Sequence, residues 1–298
     1  MMKKVLVIDI GGTFIKYGLI DTSYQLTCQG KVSTPYENKE HFLDTLCDIY
    51  KIFQHEIEGI AISAPGAIDV QQGYMKTAGM LVYLNGFHIV EELSKRCNNI
   101  KVTVENDARS ATLCEYKLGA GKGCDSLVSI IFGSGIGGGV ILDGKLLYGK
   151  QIIAGEFSPI FCNMNAQDYT SLASAYSTLT TVKRLQDRKC DDTITGEDMM
   201  RLYRQQDKDA VEVVDEWFEV VAKWCYNIDC LYNPDCICIG GGISLDPLFY
   251  EGIMKYIDII KEKAYVFRKP IVKVCSYHND ANLLGAYLTY QASSGYYK

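Results

Sequence analysis

The chain has 298 residues, and a prior of about 150 residues per domain predicts two domains. Hydrophobic residues make up 48% and charged residues 22%, an ordinary globular balance, and no apolar run reaches the roughly 18 residues that span a bilayer. The net charge is -6 and no basic stretch stands out, so the electrostatic footprint that a nucleic acid demands is missing and neither nucleic acid nor membrane is an expected partner.

The start, Met1-Met2-Lys3-Lys4, leads into the apolar residues 5–8, which Asp9 and a glycine pair soon interrupt. That is shorter than the roughly 7 to 15 apolar residues of a signal peptide, so the segment reads as a strand and a cytoplasmic location is expected. Residues 5–10 and 14–20 form two strands around the turn Gly11-Gly12-Thr13. A helix over 41–54, a strand over 59–63, a helix over 89–97, a strand over 101–104 and a helix over 108–117 follow. The opening pattern then returns: residues 127–132, a glycine-rich loop from Gly133 through Gly139, and residues 140–142. The chain contains one hairpin design twice, which argues for two related lobes. A long helix over 210–231 stops near Pro234, a strand covers 236–239, and a helix covers 247–261.

Strands alternating with helices give an α/β protein with mainly parallel sheets and an antiparallel hairpin entering each lobe. Ligands of such sheets gather at the carboxyl ends of the strands, where the glycine turns and Glu105-Asn106-Asp107 fall. The 12 cysteines include no Cys-x-x-Cys; Cys236-x-Cys238 and Cys225-x4-Cys230 are the nearest approaches, with no histidine beside them. Reduced, mostly buried thiols are expected, without a structural metal.

Asp9-Ile10-Gly11-Gly12-Thr13 is either a plain hairpin turn or a place where bare backbone N–H groups approach an anion. Gly133-Ser134-Gly135-Ile136-Gly137-Gly138 repeats that choice, and two such loops at equivalent positions suit the two ends of a polyphosphate. Gly240-Gly241-Gly242 supplies a third bare surface, suited to adenosine or merely a loop. Neither a P-loop nor a dinucleotide fingerprint is present. Asn106 or Asp107 is a natural helix N-cap. Phosphoryl transfer, however, needs a carboxylate that accepts the hydroxyl proton, and Asp107 fits that task, with Asn106 able to donate to and accept from a sugar hydroxyl. Glu156 is either a second polar anchor for vicinal hydroxyls or a solvated loop acid.

Asp9-x-Gly-Gly-Thr13, Ser63-Ala64-Pro65-Gly66, Glu105-Asn106-Asp107-Ala108, Gly133 through Gly139, Ala154-Gly155-Glu156 and Ile239-Gly240-Gly241-Gly242 resemble, in order and spacing, the ROK-family sugar kinases, over about residues 3 to 290. The resemblance implies the two-lobed actin-like ATPase (ribonuclease H-like) fold with duplicated βββαβα lobes, the first over 1–115 and completed by a C-terminal helix over 279–298, the second over 116–278. It implies ATP and Mg²⁺, with Asp107 as the base at a sugar 6-hydroxyl and sugar contacts from Gly66, Asn85, Asn106, Asp107 and Glu156. The implied nucleotide set is Asp9, Gly11, Gly12, Thr13, Lys16, Gly133, Ser134, Gly135, Gly137, Gly241 and Gly242, with Asp9 supporting Mg²⁺. A homodimer through the second lobe is implied as well.

Two departures bear on the substrate. Ser158-Pro159 stands where most family members have a sugar-touching Gly-His. The family's zinc segment is replaced by residues 161–170, in which Cys162 lacks partner ligands and Thr170 takes the place of a sugar-binding Glu. The chain therefore looks like the zinc-less branch of β-glucoside, glucose and N-acetylmannosamine kinases, with a sugar pocket opened near the anomeric end. A non-catalytic sugar sensor, another actin-like ATPase and a sugar-responsive repressor compete. Intact Asp9, Asp107 and glycine turns weigh against the sensor, and a first strand beginning near Lys3 leaves no room for a preceding DNA-binding domain.

Overall fold

The computed structural model describes residues 4–163, 165–264 and 268–294. They divide into two compact units: the first holds the described residues up to Cys114, Gly149–Ile153 and the residues from Asn279 onward; the second holds Glu115–Tyr148 and Ala154–His278.

The first unit opens with β1 (Lys4–Ile10), β2 (Phe14–Ile20) and β3 (Leu26–Ser33), then α1 (Lys39–Phe53) and β4 (Ile57–Ala64). A small hairpin of β5 (Ile68–Asp69) and β6 (Tyr74–Met75) precedes α2 (Ile89–Arg96), β7 (Lys101–Asn106) and α3 (Asp107–Lys117), within which the unit boundary falls. The sheet order is β3-β2-β1-β4-β7, with β1, β2 and β3 an antiparallel meander and β4 and β7 joined in parallel. Helix α1 begins where Asn38 accepts the His41 N–H at 2.9 Å, and Phe42, Leu43, Leu46, Ile49, Tyr50 and Phe53 recur at helical spacing to bury one face. That face packs with Leu6, Ile8 and Ile10 in one core.

The second unit repeats the topology. It runs through β8 (Leu127–Phe132), β9 (Ile136–Leu142), β10 (Lys145–Leu146), α4 (Leu172–Tyr176), α5 (Thr178–Lys189), α6 (Gly196–Arg204) and α7 (Lys208–Tyr232), then β11 (Cys236–Gly240), α8 (Pro247–Lys263) and β12 (Val272–Val274). Its sheet order is β10-β9-β8-β11-β12. The predicted duplication of one α/β design is thus present strand for strand. The core gathers Phe132, Trp217, Phe218 and Phe249, with the Trp217 and Phe249 rings 4.8 Å apart, and burying each such ring contributes up to about 3 kcal/mol. Trp217 satisfies its indole N–H on the Tyr176 carbonyl at 2.8 Å. Helix α7 stops because Asn233 turns left-handed at φ 46° and Pro234 cannot continue the ladder. The final helix, α9 (Ala281–Ser293), packs on β1, β4 and β7 of the first unit. Gly59 has no side chain because Tyr290 occupies that space, its hydroxyl 2.2 Å and its nearest ring carbon 2.3 Å from where a Cβ would stand. The C-terminal end of the helix anticipated over 279–298 lies outside the described residues.

Many element ends differ from expectation by one or two residues, and two departures are larger. The second glycine loop is shorter than the sequence suggests: the turn ends at Gly135, and Gly137 and Gly138 lie in β9, paired with Ile131 and Ile130. Strand β3 gives no apolar signal because it is an edge strand with most positions exposed. Among the described residues, no helix is long and apolar enough to cross a membrane.

Candidate active site

Sheet register assembles the polar end of the first unit. Lys31 pairs with Lys16, Lys16 with Asp9, Asp9 with Ser63, and Ser63 with Glu105, so one row crosses all five strands. Register partners share a face, and on that face Asp9 Oδ1 accepts from the Ser63 hydroxyl at 2.9 Å and from the Asn282 amide of α9 at 3.0 Å. Burial pushes the Asp9 carboxyl above its usual range, while the two hydrogen bonds and the Lys16 charge pull against that rise. A nearby divalent cation would relieve the same desolvation cost, which is compatible with the Mg²⁺ role that the family resemblance implies for Asp9. The Gly11-Gly12-Thr13 turn is closed by the Gly11 N–H on the Phe14 carbonyl at 3.0 Å and by Thr34, whose hydroxyl donates to the Gly11 carbonyl at 2.7 Å. The Tyr36 hydroxyl also donates to the Gly12 carbonyl.

One residue beyond the polar row, Asn106 ends β7 and Asp107 begins α3. Asn106 Oδ1 accepts the Arg109 N–H at 3.0 Å and so caps the helix, while its amide donates to Asp107 Oδ1 and to the Gly66 carbonyl, each at 3.0 Å. Asp107 Oδ1 also accepts the Ala108 N–H at 2.8 Å. Gly66 sits at φ 96°, where a Cβ would stand 2.3 Å from the Thr77 carbonyl oxygen. Only glycine fits such a place. Next to Thr77, the Ala78 N–H donates to Asn85 Oδ1 at 2.8 Å. Amide hydrogen bonds therefore join Gly66, Asn106 and Asp107, and Asn85 is tied to Ala78 in the segment that packs against Gly66. The cap reading and the proton-acceptor reading of Asn106-Asp107 are not rivals, since Asn106 does the capping and Asp107 is the residue it orients.

In the second unit the Gly133–Gly135 turn is closed by the Gly133 N–H on the Gly135 carbonyl at 3.0 Å. The Ser158 hydroxyl accepts the Ile136 N–H and donates to the Ile136 carbonyl, both at 3.0 Å. Ser158 is thus tied to the glycine turn. Gly155, at φ 82°, lies on Gly139, and Phe157 fills the space beside Gly138. The bare stretch of β9 therefore seats the segment that carries Glu156. Gly241, at φ 97°, would drive a Cβ to 1.9 Å from the Phe132 carbonyl oxygen, so the third turn packs directly on the end of β8. A cavity of about 460 Å³ lies among Ser134, Thr178, Leu179, Gln186, Thr195 and Gly242, within the size range of small-molecule sites. The α5 and α6 residues in it were missed from sequence, although Thr195-x-x-Asp198 is a readable capping box.

The segment replacing the zinc motif is held by an isolated bridge between Phe161 and Ser171 and by the Cys162 N–H on the Thr170 carbonyl at 3.0 Å. Asp168 accepts from the Thr170 N–H at 2.9 Å and the Asn163 amide at 2.5 Å. Bonds from the Thr170 side chain, Asn163 and the Thr170 backbone bring its carboxyl down to about 2. Among the described residues no group of three or more His, Cys, Asp or Glu is placed to hold a metal. Met164, in this segment, lies outside the described residues.

The family model described as the ROK family matches residues 5–292. A β-glucoside kinase of Listeria monocytogenes is 28% identical over 291 residues, covering 95% of this chain and 96% of that protein. Among solved structures, a ROK family protein from Streptococcus pneumoniae in complex with sucrose superimposes with a TM-score of 0.89 at 28% identity, over 99% of this chain and 100% of that one. A ROK family glucokinase from Streptomyces griseus in complex with glucose and AMPPNP gives 0.82 at 25% identity, over 95% and 97%. The fold is the actin-like ATPase fold of these sugar kinases.

Proposed function

The chain belongs to the ROK family, and on that premise we propose that it transfers the γ-phosphoryl group of ATP to the 6-hydroxyl of a hexose or β-glucoside, with glucose and β-glucosides favoured. The observation that carries this reading is the Asn106 amide bridging Asp107 Oδ1 and the Gly66 carbonyl. It fixes a carboxylate at the start of a helix and joins three of the sugar-reading candidates, Gly66, Asn106 and Asp107, by hydrogen bonds.

In the proposed reaction Asp107 accepts the hydroxyl proton as the new O–P bond forms, which contributes about 10² to 10⁴ in rate. The backbone of the turns Gly11–Thr13 and Gly133–Gly135 binds phosphate oxygens, and Lys16 offers a cation on the register row of Asp9. Gly241 and Gly242 back the adenosine, with the Thr178 to Gln186 face of α5 across the same cavity. Mg²⁺, when bound with the nucleotide, neutralises charge on the transferring phosphates, and Asp9 is the residue that would bear on it. Glu156 holds vicinal sugar hydroxyls. With Ser158 committed to Ile136 and Thr170 in place of a longer acid, the anomeric end of the sugar is less enclosed, which favours a β-linked substituent.

The test is ADP release measured with glucose, cellobiose, N-acetylmannosamine, N-acetylglucosamine and fructose. Highest kcat/KM for glucose or cellobiose is expected. Release with none of them sinks the kinase reading, and preference for an N-acetyl sugar sinks the substrate half alone.

A further inference from the structure

Strand β11 has cysteine at alternate positions, Cys236 and Cys238, followed at the same spacing by Gly240. All three take the face opposite Ile237 and Ile239. Those isoleucines join the main core of the second unit, whereas the two cysteines belong to a separate cluster with Leu127 and Cys275. Cys124, just before β8 and partly exposed, packs on its margin. The Cys124 and Cys236 sulfurs are 3.6 Å apart, and those of Cys236 and Cys238 are 3.9 Å apart. Cys275 Sγ lies 2.8 Å from where a Cβ on Gly240 would stand. A column of thiols therefore runs from a solvent-reaching cysteine to the first glycine of the candidate adenosine turn.

We propose that Cys124 and Cys236 are an oxidation site, closing into a disulfide when hydrogen peroxide reaches Cys124, and that the bond weakens nucleotide binding at the turn that ends β11. The second half rests on the adenosine reading of that turn; the first does not. The Cys124 thiolate attacks one peroxide oxygen, the O–O bond breaks, and Cys124 becomes a sulfenic acid while hydroxide leaves and takes up a proton. The Cys236 thiolate then attacks Cys124 Sγ, the S–O bond breaks, and a second water departs. Two thiols are oxidised by two electrons and one peroxide is reduced to two waters.

Geometry permits the closure. The sulfurs must approach by roughly 1.5 Å to reach disulfide length, and Cys124 is on a loop rather than a strand, next to Gly123 at φ 87° with open space beside it. The contact with Cys238, then the one with Cys124 and the nearby Lys273 charge, hold the Cys236 thiol below the usual thiol range against its burial and the Asp235 charge, which suits it to the second attack. Burial and the Cys236 contact push Cys124 up to about 11, which slows the first attack and keeps the pair reduced under mild conditions. Cys47 and Cys97 also stand 3.9 Å apart, but both are buried, so peroxide has no comparable approach.

The experiment treats the full chain with hydrogen peroxide, alkylates the remaining thiols, and maps peptides without reduction. A linked Cys124–Cys236 peptide is expected. Dithiothreitol should reverse it, Cys28→Ser should retain it, and Cys124→Ser and Cys124→Ala, whose melting curves report their folding, should lack it. Irreversible oxidation of Cys124 with no linked peptide, or a Cys236–Cys238 link instead, overturns the site. The KM for ATP, measured first on the reduced enzyme and then on the oxidised one, should rise several-fold in the native chain and not in Cys124→Ser. An unchanged KM in protein that carries the linked peptide overturns the regulatory half. A reduced enzyme without any kinase activity would count against the proposed function and leave the peptide map decisive for the oxidation site.

Discussion

The Asn106 amide holds Asp107 Oδ1 at 3.0 Å while the other end of the same side chain accepts the Arg109 N–H, also at 3.0 Å. One residue therefore caps α3 and orients the carboxylate at its first position. If Asp107 is the proton acceptor, Asp107→Asn should lower kcat by about 10² to 10⁴ with little change in KM for sugar and an intact fold. Turnover equal to that of the native chain would remove Asp107 from the chemistry.

Asn106 separates its two duties on substitution. Asn106→Ala loses the cap, at about 1 kcal/mol, and frees Asp107 to rotate, so melting temperature and kcat should fall together. Asn106→Asp keeps an acceptor for the Arg109 N–H but replaces the amide donor with a charge beside Asp107. Its melting temperature should recover toward the native value while kcat stays low. Full kcat in Asn106→Asp would show that the amide does not position Asp107.

Gly66→Ala and Gly241→Ala should both destabilise by more than about 2 kcal/mol, since each joins a left-handed φ to a backbone clash, at 2.3 Å from Thr77 and 1.9 Å from Phe132. Gly133→Ala is the contrast, because a Cβ there meets nothing within 4 Å. It should fold normally and report on phosphate binding through the KM for ATP alone. Thermal melts of the three variants check the ranking.

Ser158 closes both hydrogen bonds to Ile136 with a single hydroxyl. Ser158→Ala should cost about 1 to 2 kcal/mol and, by loosening the Gly133–Gly135 turn, raise the KM for ATP several-fold more than the KM for sugar. Ser158→Thr, which keeps the hydroxyl, should restore most of the difference. If the KM for sugar moves instead, Ser158 acts on the sugar and not on the turn.

The repeated hairpin, the polar strand ends and the place of Asp107 at a strand-helix junction were legible because they depend on local pattern: apolar runs, bare glycines, and a carboxylate between a strand and a helix. What could not be read was which partner each polar group chooses. Asn106 looked like a cap or a sugar reader, and only the position of Gly66, 40 residues earlier in the chain, shows where its amide goes. Gly137 and Gly138 looked like loop because glycine runs punctuate; they are strand because Phe157 needs the space beside Gly138. The cavity beside α5 is assembled by packing of α5, the segment leading into α6 and the third turn, and no single segment announces it. Sheet register likewise joins Lys16, Asp9, Ser63 and Glu105 across strands far apart in sequence.

Asp9 offers the sharpest conflict between stability and function. Burial raises its carboxyl above the unfolded value of about 4, so the folded chain binds this proton more tightly than the unfolded chain. Such a group favours folding below about pH 4, and that advantage is lost as pH rises through its folded value, above which the fold carries a buried charge. Asp9→Asn removes the charge and keeps an oxygen to accept from Ser63 and Asn282. Its melting temperature should therefore exceed the native one at a pH above the folded Asp9 value, with the gap shrinking as pH falls through that value, while Mg²⁺-dependent turnover collapses. A native melting temperature at or above that of Asp9→Asn throughout this range would show that the hydrogen bonds outweigh desolvation, and the carboxylate would then be a structural group before it is a catalytic one.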